Sequence, residues 1–151
     1  MNDLKRFKRL LSRATDFAEN PYHPLVWING KPKIGKGVSI GFFSEVNAKG
    51  ASVSIGDGCD IASFVAINCA DSHKRCLGLS EDIARRDITL EERVFVGSHC
   101  VIKGGAHIGH HTVIAAGCVV EAVRIPPYSL VSGNPMTVRK GYYRKRLEKR
   151  R

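Results

Sequence analysis

A six-residue repeat in the middle of the sequence restricts the fold more than any other feature. From residue 90 to residue 120, a branched aliphatic residue opens every block of six, and the fifth position of each block is small or β-branched. The openers are Leu90, Val96, Ile102, Ile108, Ile114 and Val120. A period of six fits neither an α-helix nor an ordinary hairpin, so it predicts a short structural unit that is stacked many times.

Each block of six is too short for a helix and suits one short strand followed by a turn. The opener would point inward, and the small fifth residue would lie near a crowded corner. Three such strands would complete one triangular coil, and successive coils would pair in parallel at about 4.8 Å, with ladders of openers inside. The spacing does not give the hand of this coil, and parallel connections are normally right-handed.

The same repeat occurs earlier in the chain, with two interruptions. Its earlier openers are Ile28, Ile34, Ile40, Val46, Ile55, Ile61 and Ile67, with a slip of three between Val46 and Ile55. His73 occupies the opener position after Ile67, and the period is then lost for seventeen residues before Leu90. We therefore expect a repeat domain over residues 21–138, with an extruded loop at about residues 74–89.

The formal net charge of +10 belongs mainly to the two ends of the chain. Residues 1–20 contribute +2, residues 21–138 contribute +1, and the basic tail of residues 139–151 contributes +7. The tail could bind nucleic acid or anionic lipid through charge, but such clusters are unspecific and the repeat surface is nearly neutral. Nucleic-acid binding is therefore not expected, and a non-catalytic basic binding protein is a minor alternative.

A basic amphipathic helix is predicted over residues 4–18, before the repeat begins. Its apolar residues at helical spacing are Leu4, Phe7, Leu10, Leu11, Ala14 and Phe17. We interpret residues 1–20 as a cap over the first coil, and a helix that contacts an anionic membrane surface is the alternative. With no apolar run of about 20 residues and no signal-peptide pattern, we expect a cytoplasmic protein.

The five cysteines are expected to be reduced, because an odd number leaves one unpaired and no C-x-x-C pair is present. Cys59, Cys100 and Cys118 occupy the small position of a block, where a thiol packs as a compact hydrophobe. Cys69 and Cys76 flank His73, but one C-x3-H-x2-C cluster is weak evidence for a thiolate nucleophile or a zinc site.

Three stretches of the sequence resemble a known family. They are Val94–His99 (VFVGSH), Ile114–Gly117 (IAAG) and Ile125–Pro135 (IPPYSLVSGNP). Together with His73 and the loop, they resemble the hexapeptide-repeat acyltransferases, in the branch of galactoside and maltose O-acetyltransferases and their relatives in bacterial surface polysaccharide biosynthesis. The resemblance covers about residues 28–140. It implies an all-β, left-handed parallel β-helix with short N- and C-terminal helical segments, assembled as a homotrimer.

The resemblance also implies an acetyl-CoA-dependent acetyltransferase that needs no metal and acts on a hydroxyl of a sugar, a nucleotide sugar or a glycan precursor. His73 takes the position of the family's catalytic histidine, and an imidazole that titrates near neutral pH suits a general base. The backbone N–H of Ser98 would stabilise the oxyanion. Transfer would be direct, without an acyl-enzyme.

The coenzyme would bind between adjacent prisms of the trimer. The residues implied in its binding are Ser98, Ala116 and Gly117 beside the pantetheine arm and Arg124, Arg139 and Lys140 as cations for the phosphates. Residues 121–124 (EAVR) depart from the Thr-Lys-Asp that is common in this branch, so Arg124 would substitute for the lysine.

On the acceptor side, Asn47 and Asp71 are the implied substrate-binding residues, although Asp71 could equally orient His73 or cap a turn. The basic loop after His73 could recognise an acidic or phosphorylated acceptor, and an ordinary solvated loop is the alternative.

Two other enzyme classes are compatible with parts of this sequence. An N-acetyltransferase of amino sugars is the nearest, because a histidine base serves that reaction too. A zinc γ-class carbonic anhydrase shares this repeat fold and uses histidine ligands. His99, His107, His110 and His111 do not show the required paired spacing, and we expect the last three at outward-facing turns.

Overall fold

Three sheets of short strands build the protein, one sheet for each strand of the triangular coil. The computed structural model describes residues 2–15, 17 and 19–150. Sheet A contains β1 (Trp27–Asn29), β4 (Glu45–Asn47), β7 (Ala66–Asn68), β12 (Val101–Lys103) and β15 (Val119–Val120). Sheet B contains β2 (Lys33–Ile34), β5 (Val53–Ile55), β10 (Ile88–Leu90), β13 (His107–Ile108) and β16 (Arg124–Ile125). Sheet C contains β3 (Ser39–Ile40), β6 (Asp60–Ile61), β11 (Phe95–Val96), β14 (Val113–Ile114), β17 (Leu130–Ser132) and β18 (Thr137–Arg139).

The remaining elements lie at the ends of the stack and in the loop. They are the helices α1 (Asp3–Ala14), α2 (His73–Cys76) and α3 (Arg144–Glu148) and the hairpin strands β8 (Ala70–Asp71) and β9 (Ala84–Arg85). Strand β18 closes the last coil by pairing antiparallel with β17. No helix of the described residues has the length and apolar character to cross a bilayer.

The core is the predicted ladder of openers. In sheet B, Ile34 pairs with Ile55, Ile55 with Leu90 and Leu90 with Ile108, so opener stacks on opener. Apart from the position of His73, openers from Ile40 onward are at most 5% exposed. Each buried aliphatic side chain stabilises the fold by about 1.5–3 kcal/mol, so the ladder explains why strands of two or three residues persist.

The cysteines at the small positions are in this core, as predicted. Cys59, Cys100 and Cys118 are at most 1% exposed. Burial raises the pKa of the Cys118 thiol to about 11, and it also raises the pKa of Cys59 and of Cys100. These thiols are therefore packing groups, because a nucleophile needs an accessible thiolate.

All departures from the 18-residue coil lie at one corner, where the chain passes from sheet A to sheet B. Along sheet A the first coil step, from Trp27 to Glu45, is 18 positions. The next steps, from Glu45 to Ala66 and from Ala66 to Val101, are 21 and 35 positions. The last step on sheet B, from His107 to Arg124, is 17 positions. We call this edge, formed by residues 48–52, 69–87 and 121–123, the A–B corner.

Two predicted boundaries need correction. The loop was expected to reach residue 89, but it ends before Ile88, which is 1% exposed and opens core strand β10. Ile88 and Leu90 both point inward because side chains alternate along a strand. Only Leu90 stands at an opener position of the six-residue repeat, so the repeat does not reveal Ile88 as a core residue. The first helix was expected over residues 4–18, yet it ends at Ala14, with Asn2 as its N-cap; residues 16 and 18 lie outside the described residues.

Helix α1 covers little of the stack. It has no buried residue, and Leu4, Phe7 and Leu10 are about half exposed. It is held by the Lys8 ammonium, which donates to the carbonyl oxygens of Asn20 at 3.0 Å and Tyr22 at 2.6 Å. The capping role and the membrane role of this helix both stay predictions.

Candidate active site

A cavity of about 470 Å³ lies at the A–B corner, next to His73. Its wall on the prism side comes from the ends of β7 and β12, and its outer wall comes from the loop that replaces an ordinary corner between β7 and β10. The predicted catalytic histidine therefore lines a concave site, with its side chain accessible to solvent.

The loop is folded back on the prism by its own hairpin. Ala70 pairs with Arg85 and Asp71 with Ala84 in an antiparallel ladder, and the Arg86 N–H donates to the Cys69 carbonyl at 3.0 Å. Helix α2 follows Ser72 as one short turn, in which Leu77 N–H donates to the His73 carbonyl at 3.0 Å. These main-chain bonds fix the start and the end of the loop beside the cavity.

Asp71 orients the His73 ring. The ring Nδ1 lies 2.6 Å from Asp71 Oδ1, and the His73 main-chain N–H donates to the same oxygen at 3.1 Å. These two hydrogen bonds, the main-chain bond first, lower the pKa of Asp71. An ionised carboxylate can only accept, so Nδ1 carries the proton and Nε2 of the neutral ring is left as a base. Of the roles considered for Asp71, the structure shows both the orienting contact with the ring and the turn-capping bond from the His73 main chain, and substrate binding stays a prediction.

Asn47 lies on the same edge but one coil away from the cavity. Its amide donates to Asn68 Oδ1 at 3.1 Å, and Asn68 lines the cavity. Asn47 itself does not line the cavity, and its contact with an acceptor stays a prediction. In the next coils the same edge continues with Lys103 and Glu121, whose charged groups are 2.7 Å apart.

The cavity also contains Asn68, Lys103 and Glu121, which were not predicted although the sequence carries a signal for them. In sheet A the residue after each opener is polar: Asn29, Asn47, Asn68, Lys103 and Glu121. In sheets B and C it is mostly glycine or alanine. A Cβ added at Gly97, for example, would lie 2.6 Å from the Ala116 nitrogen, which explains why such a corner favours a very small residue. Sorting openers by sheet would have revealed a polar edge on sheet A.

The predicted coenzyme wall lies at the other edge of sheet A. The Gly117 N–H donates to the Ser98 carbonyl at 2.9 Å, and Ala116 and Gly117 are exposed. A Cβ added at Gly117 would meet nothing within 4 Å, and its φ of 73° favours glycine. Within the described residues, the Ser98 N–H has no acceptor. Since Ser98 precedes β12 and His73 follows β7, the two lie on opposite edges of the sheet and do not meet in one chain.

The predicted phosphate-binding cations are dispersed. Arg124 begins β16 on sheet B, where its guanidinium lies 3.4 Å from His107 Nδ1 and 4.0 Å from Glu91. Arg139 ends β18 and lies over the Tyr142 ring at 5.1 Å, and exposed Lys140 follows it. Among the residues that the structure describes, no hydrogen bond or ring contact joins either of these two residues to Arg124.

The other histidines are engaged in local contacts. His107 Nε2 lies 2.7 Å from Glu91 Oε1, and the His110 main-chain N–H donates to Glu91 Oε2 at 2.9 Å. His99 stacks on Phe64 with 4.8 Å between ring centroids. In the part of the chain that the structure describes, no three His, Cys, Asp or Glu side chains come together as a possible metal site.

The family comparison agrees with the repeat seen in the fold. Residues 87–122 match the family model for the bacterial transferase hexapeptide (six repeats). This segment carries the hexapeptide repeat of bacterial transferases. The resemblance inferred from the motifs is thereby confirmed for the repeat, and the stack of parallel coils matches left-handed β-helix acyltransferases.

Solved structures of similar fold include several acyltransferases. An N-acyltransferase from Bacillus cereus, AntD, solved with dTDP and 3-hydroxybutyryl-CoA, has a TM-score of 0.71 at 19% identity, over 82% of this chain and 70% of that chain. The polySia-specific acetyltransferase NeuO has a TM-score of 0.62 at 27% identity, over 76% and 60%. A maltose O-acetyltransferase from Clostridium difficile has a TM-score of 0.60 at 24% identity, over 91% and 83%. These likenesses confirm the all-β prism.

One curated protein is similar in sequence. It is gamma carbonic anhydrase 1, mitochondrial, from Arabidopsis thaliana, which is 27% identical over 123 residues. The match covers 74% of this chain but only 45% of the length of that protein. Sequence similarity at this level fits a shared repeat.

Proposed function

We propose that the protein is an acetyl-CoA-dependent acetyltransferase that modifies a hydroxyl of a sugar, a nucleotide sugar or a glycan precursor. The observation that carries the proposal is the His73 ring, held at Nδ1 by Asp71 and lying beside a cavity with Nε2 free to accept a proton. The acyltransferases of similar fold support the reaction class.

In the proposed reaction, Nε2 of His73 takes the proton of the acceptor hydroxyl while that oxygen attacks the thioester carbonyl carbon. The Ser98 N–H donates to the oxyanion of the tetrahedral intermediate. The C–S bond then breaks, the thiolate of CoA receives the proton from Nε2, and the acetylated sugar leaves. Asp71 positions the ring throughout. Cys69 is 2% exposed, which argues against an acyl-thioester intermediate at that thiol.

The two halves of this site are proposed to meet between subunits. Because His73 and Ser98 lie on opposite edges of sheet A, a complete site requires that the His73 edge of one chain face the Ser98, Ala116 and Gly117 edge of another. A closed ring of three copies satisfies this at every interface. In that homotrimer, Arg124, Arg139 and Lys140 are the cations proposed for the coenzyme phosphates, and Asn47 and Asn68 are proposed to line the acceptor side.

We also propose a cytoplasmic role in surface polysaccharide biosynthesis. Five free cysteines are compatible with a reducing compartment, and acetyl-CoA and sugar precursors are reactants of the kind that this reaction needs. Fractionation of cells that express a tagged chain tests the compartment.

The deciding experiment measures CoA release from acetyl-CoA across a panel of sugars, nucleotide sugars and amino sugars. Wild type is expected to acetylate at least one hydroxyl acceptor, and His73→Ala is expected to lose that turnover. Light scattering should give a particle of about three times 16.6 kDa. Turnover unchanged in His73→Ala would refute the mechanism, and a monomer would refute the intersubunit site.

Two other functions are distinguished by the same preparation. The likeness to the N-acyltransferase AntD favours amino-sugar acceptors as the second candidate, and an amide product in the panel would establish it. The likeness to a plant carbonic anhydrase motivates an elemental analysis for zinc, together with a CO₂ hydration assay.

A further inference from the structure

The cavity beside His73 contains more positive than negative charge. Apart from His73, its charged lining residues are the acids Asp71 and Glu121 and the bases Lys74, Arg86 and Lys103. Both acids are already engaged. Asp71 is bonded to His73 at 2.6 Å, and Glu121 accepts from the Lys103 ammonium at 2.7 Å.

After this pairing, two positively charged residues of the cavity lining remain, Lys74 and Arg86. Among the described residues, neither the Lys74 ammonium nor the Arg86 guanidinium has a hydrogen-bond or ionic partner. Both belong to the loop that forms the outer wall of the cavity, and Lys74 directly follows His73 in the chain. The cavity therefore offers an anion two unpaired positive groups next to the base.

Arg86 is held where its side chain can serve a ligand. Its main-chain N–H is bonded to Cys69, and its stem lies along the turn at Gly104 and Gly105. The preceding Arg85 differs, because its guanidinium donates to the Lys49 carbonyl and packs at Gly50. One arginine thus ties the loop to the prism, while the other has an anchored backbone and a free guanidinium.

We propose that the acceptor is an anionic sugar, bound through a phosphate or carboxylate group by Arg86 and Lys74 while its reacting hydroxyl lies at Nε2 of His73. This inference rests on the proposed acetyl transfer. A guanidinium offers paired donors in the planar geometry that suits either anion, and an ammonium adds a point charge. The Lys103–Glu121 ion pair also lines the cavity but adds no net charge.

The test uses three sugars that share a pyranose ring: glucose, glucose 1-phosphate and glucuronic acid. Their binding to the full chain is measured by calorimetry, and the two anionic sugars separate phosphate from carboxylate recognition. We expect at least one anionic sugar to bind about tenfold or more tightly than glucose, with an affinity that falls as salt is raised.

Two variants of equal charge change make the test specific. Arg86→Gln should weaken binding of the anionic sugar about tenfold or more and leave glucose unchanged. Arg75→Gln is the matched control, because Arg75 carries the same charge in the same loop, next to Lys74 in helix α2, but is outside the cavity lining. It should change binding by less than about twofold. Thermal unfolding of each variant verifies that the fold is intact.

Equal binding of all three sugars, absent binding of both anionic sugars, or equal losses in Arg86→Gln and Arg75→Gln would overturn the anion site. Acetylation of an anionic sugar that is insensitive to Arg86→Gln, or no faster than acetylation of glucose, would also overturn it while leaving the acetyltransferase intact. Tight, Arg86-dependent anion binding with no acetyl transfer to any sugar would uphold the site and refute the proposed function.

Discussion

Two histidine–carboxylate pairs occur among the described residues, and they differ in the surroundings of the second ring nitrogen of the histidine. In the pair of His73 and Asp71, the carboxylate holds one ring nitrogen at 2.6 Å and the other nitrogen is free beside a cavity. In the pair of His107 and Glu91, the distance is 2.7 Å, but Arg124 lies 3.4 Å from the second nitrogen. Glu91 also accepts from the His110 main chain, which ties neighbouring turns together.

The comparison teaches that a short contact between histidine and carboxylate does not identify a base. What distinguishes the two is the second nitrogen and the space around it. Side-chain exposure follows the same division, with 61% for His73 and 29% for His107. We therefore expect the first pair to govern catalysis and the second to govern stability.

The largest expected effect is on turnover. Replacing His73 by glutamine should lower kcat about 1,000-fold, because a positioned general base commonly contributes 10²–10⁴-fold. His107→Gln is the matched control and should stay within about twofold of wild type. Both are measured as CoA release with the best acceptor of the panel. A comparable loss in His107→Gln would remove the distinction between the pairs.

The second effect separates positioning from proton transfer. Asp71→Asn should lower kcat about tenfold with little change in KM, because an amide can turn its NH₂ toward Nδ1 and select the wrong tautomer. Since the pKa of Asp71 is lowered, its carboxylate remains charged below the usual range for aspartate. Its contribution is therefore present at neutral pH and is lost only as the pH falls through that lowered value. A raised KM with unchanged kcat would instead assign Asp71 to acceptor binding.

The third effect is on stability, where the His107 pair should matter more than the His73 pair. His107→Gln should reduce the free energy of unfolding by about 1 kcal/mol, since a charge-assisted, partly buried bond is lost. In a chain of this length that corresponds to about 2–4 °C in Tm. His73→Gln should leave Tm unchanged because its ring is exposed. Calorimetry of the two variants measures both Tm values, and equal values would contradict the expected difference in stability.

The smallest effect concerns pH. The hydrogen bond from the His107 ring lowers the pKa of Glu91, against an opposing effect of burial. A carboxyl with a lowered pKa stabilises the fold above its unfolded pKa, and this contribution disappears as the pH falls through the folded value. The free energy of unfolding of wild type should thus exceed that of Glu91→Gln by about a few tenths of a kcal/mol at neutral pH. This difference should disappear in acid. Urea unfolding at several pH values measures it, and a constant gap would contradict the assignment.

The prism could be predicted from the sequence because one aliphatic residue marks the start of each six-residue block. Leu90, Ile108 and Ile125 are recognisable as openers without any knowledge of their neighbours, and Cys100 and Cys118 follow from their block position. The hand of the coil came only from resemblance, since spacing by six is equally compatible with either hand. The end of the loop at Ile88 was missed because that residue precedes its opener by two.

The candidate site was predictable only where its residues are neighbours in sequence. His73 interrupts the repeat and Asp71 is two residues away, so both were identified. The ion pair of Lys103 and Glu121 joins two coils, and the free guanidinium of Arg86 is distinguished from bound Arg85 only by three-dimensional contacts. The intersubunit site and the coenzyme cations stay predictions, because their geometry depends on a second chain.

The A–B corner has a consequence for how such a protein can diversify. Relative to the 18-residue coil, one coil is longer by three residues there, the next is longer by seventeen, and the last is shorter by one. The openers on either side remain stacked. Substitutions in the ladder are costly in free energy, whereas length changes at this edge leave the openers stacked. Insertion and deletion are thus the low-cost route by which the proposed acceptor site can change, and loop exchange between residues 74 and 87, which keeps Asp71 and His73, is the natural starting point for redesigning specificity.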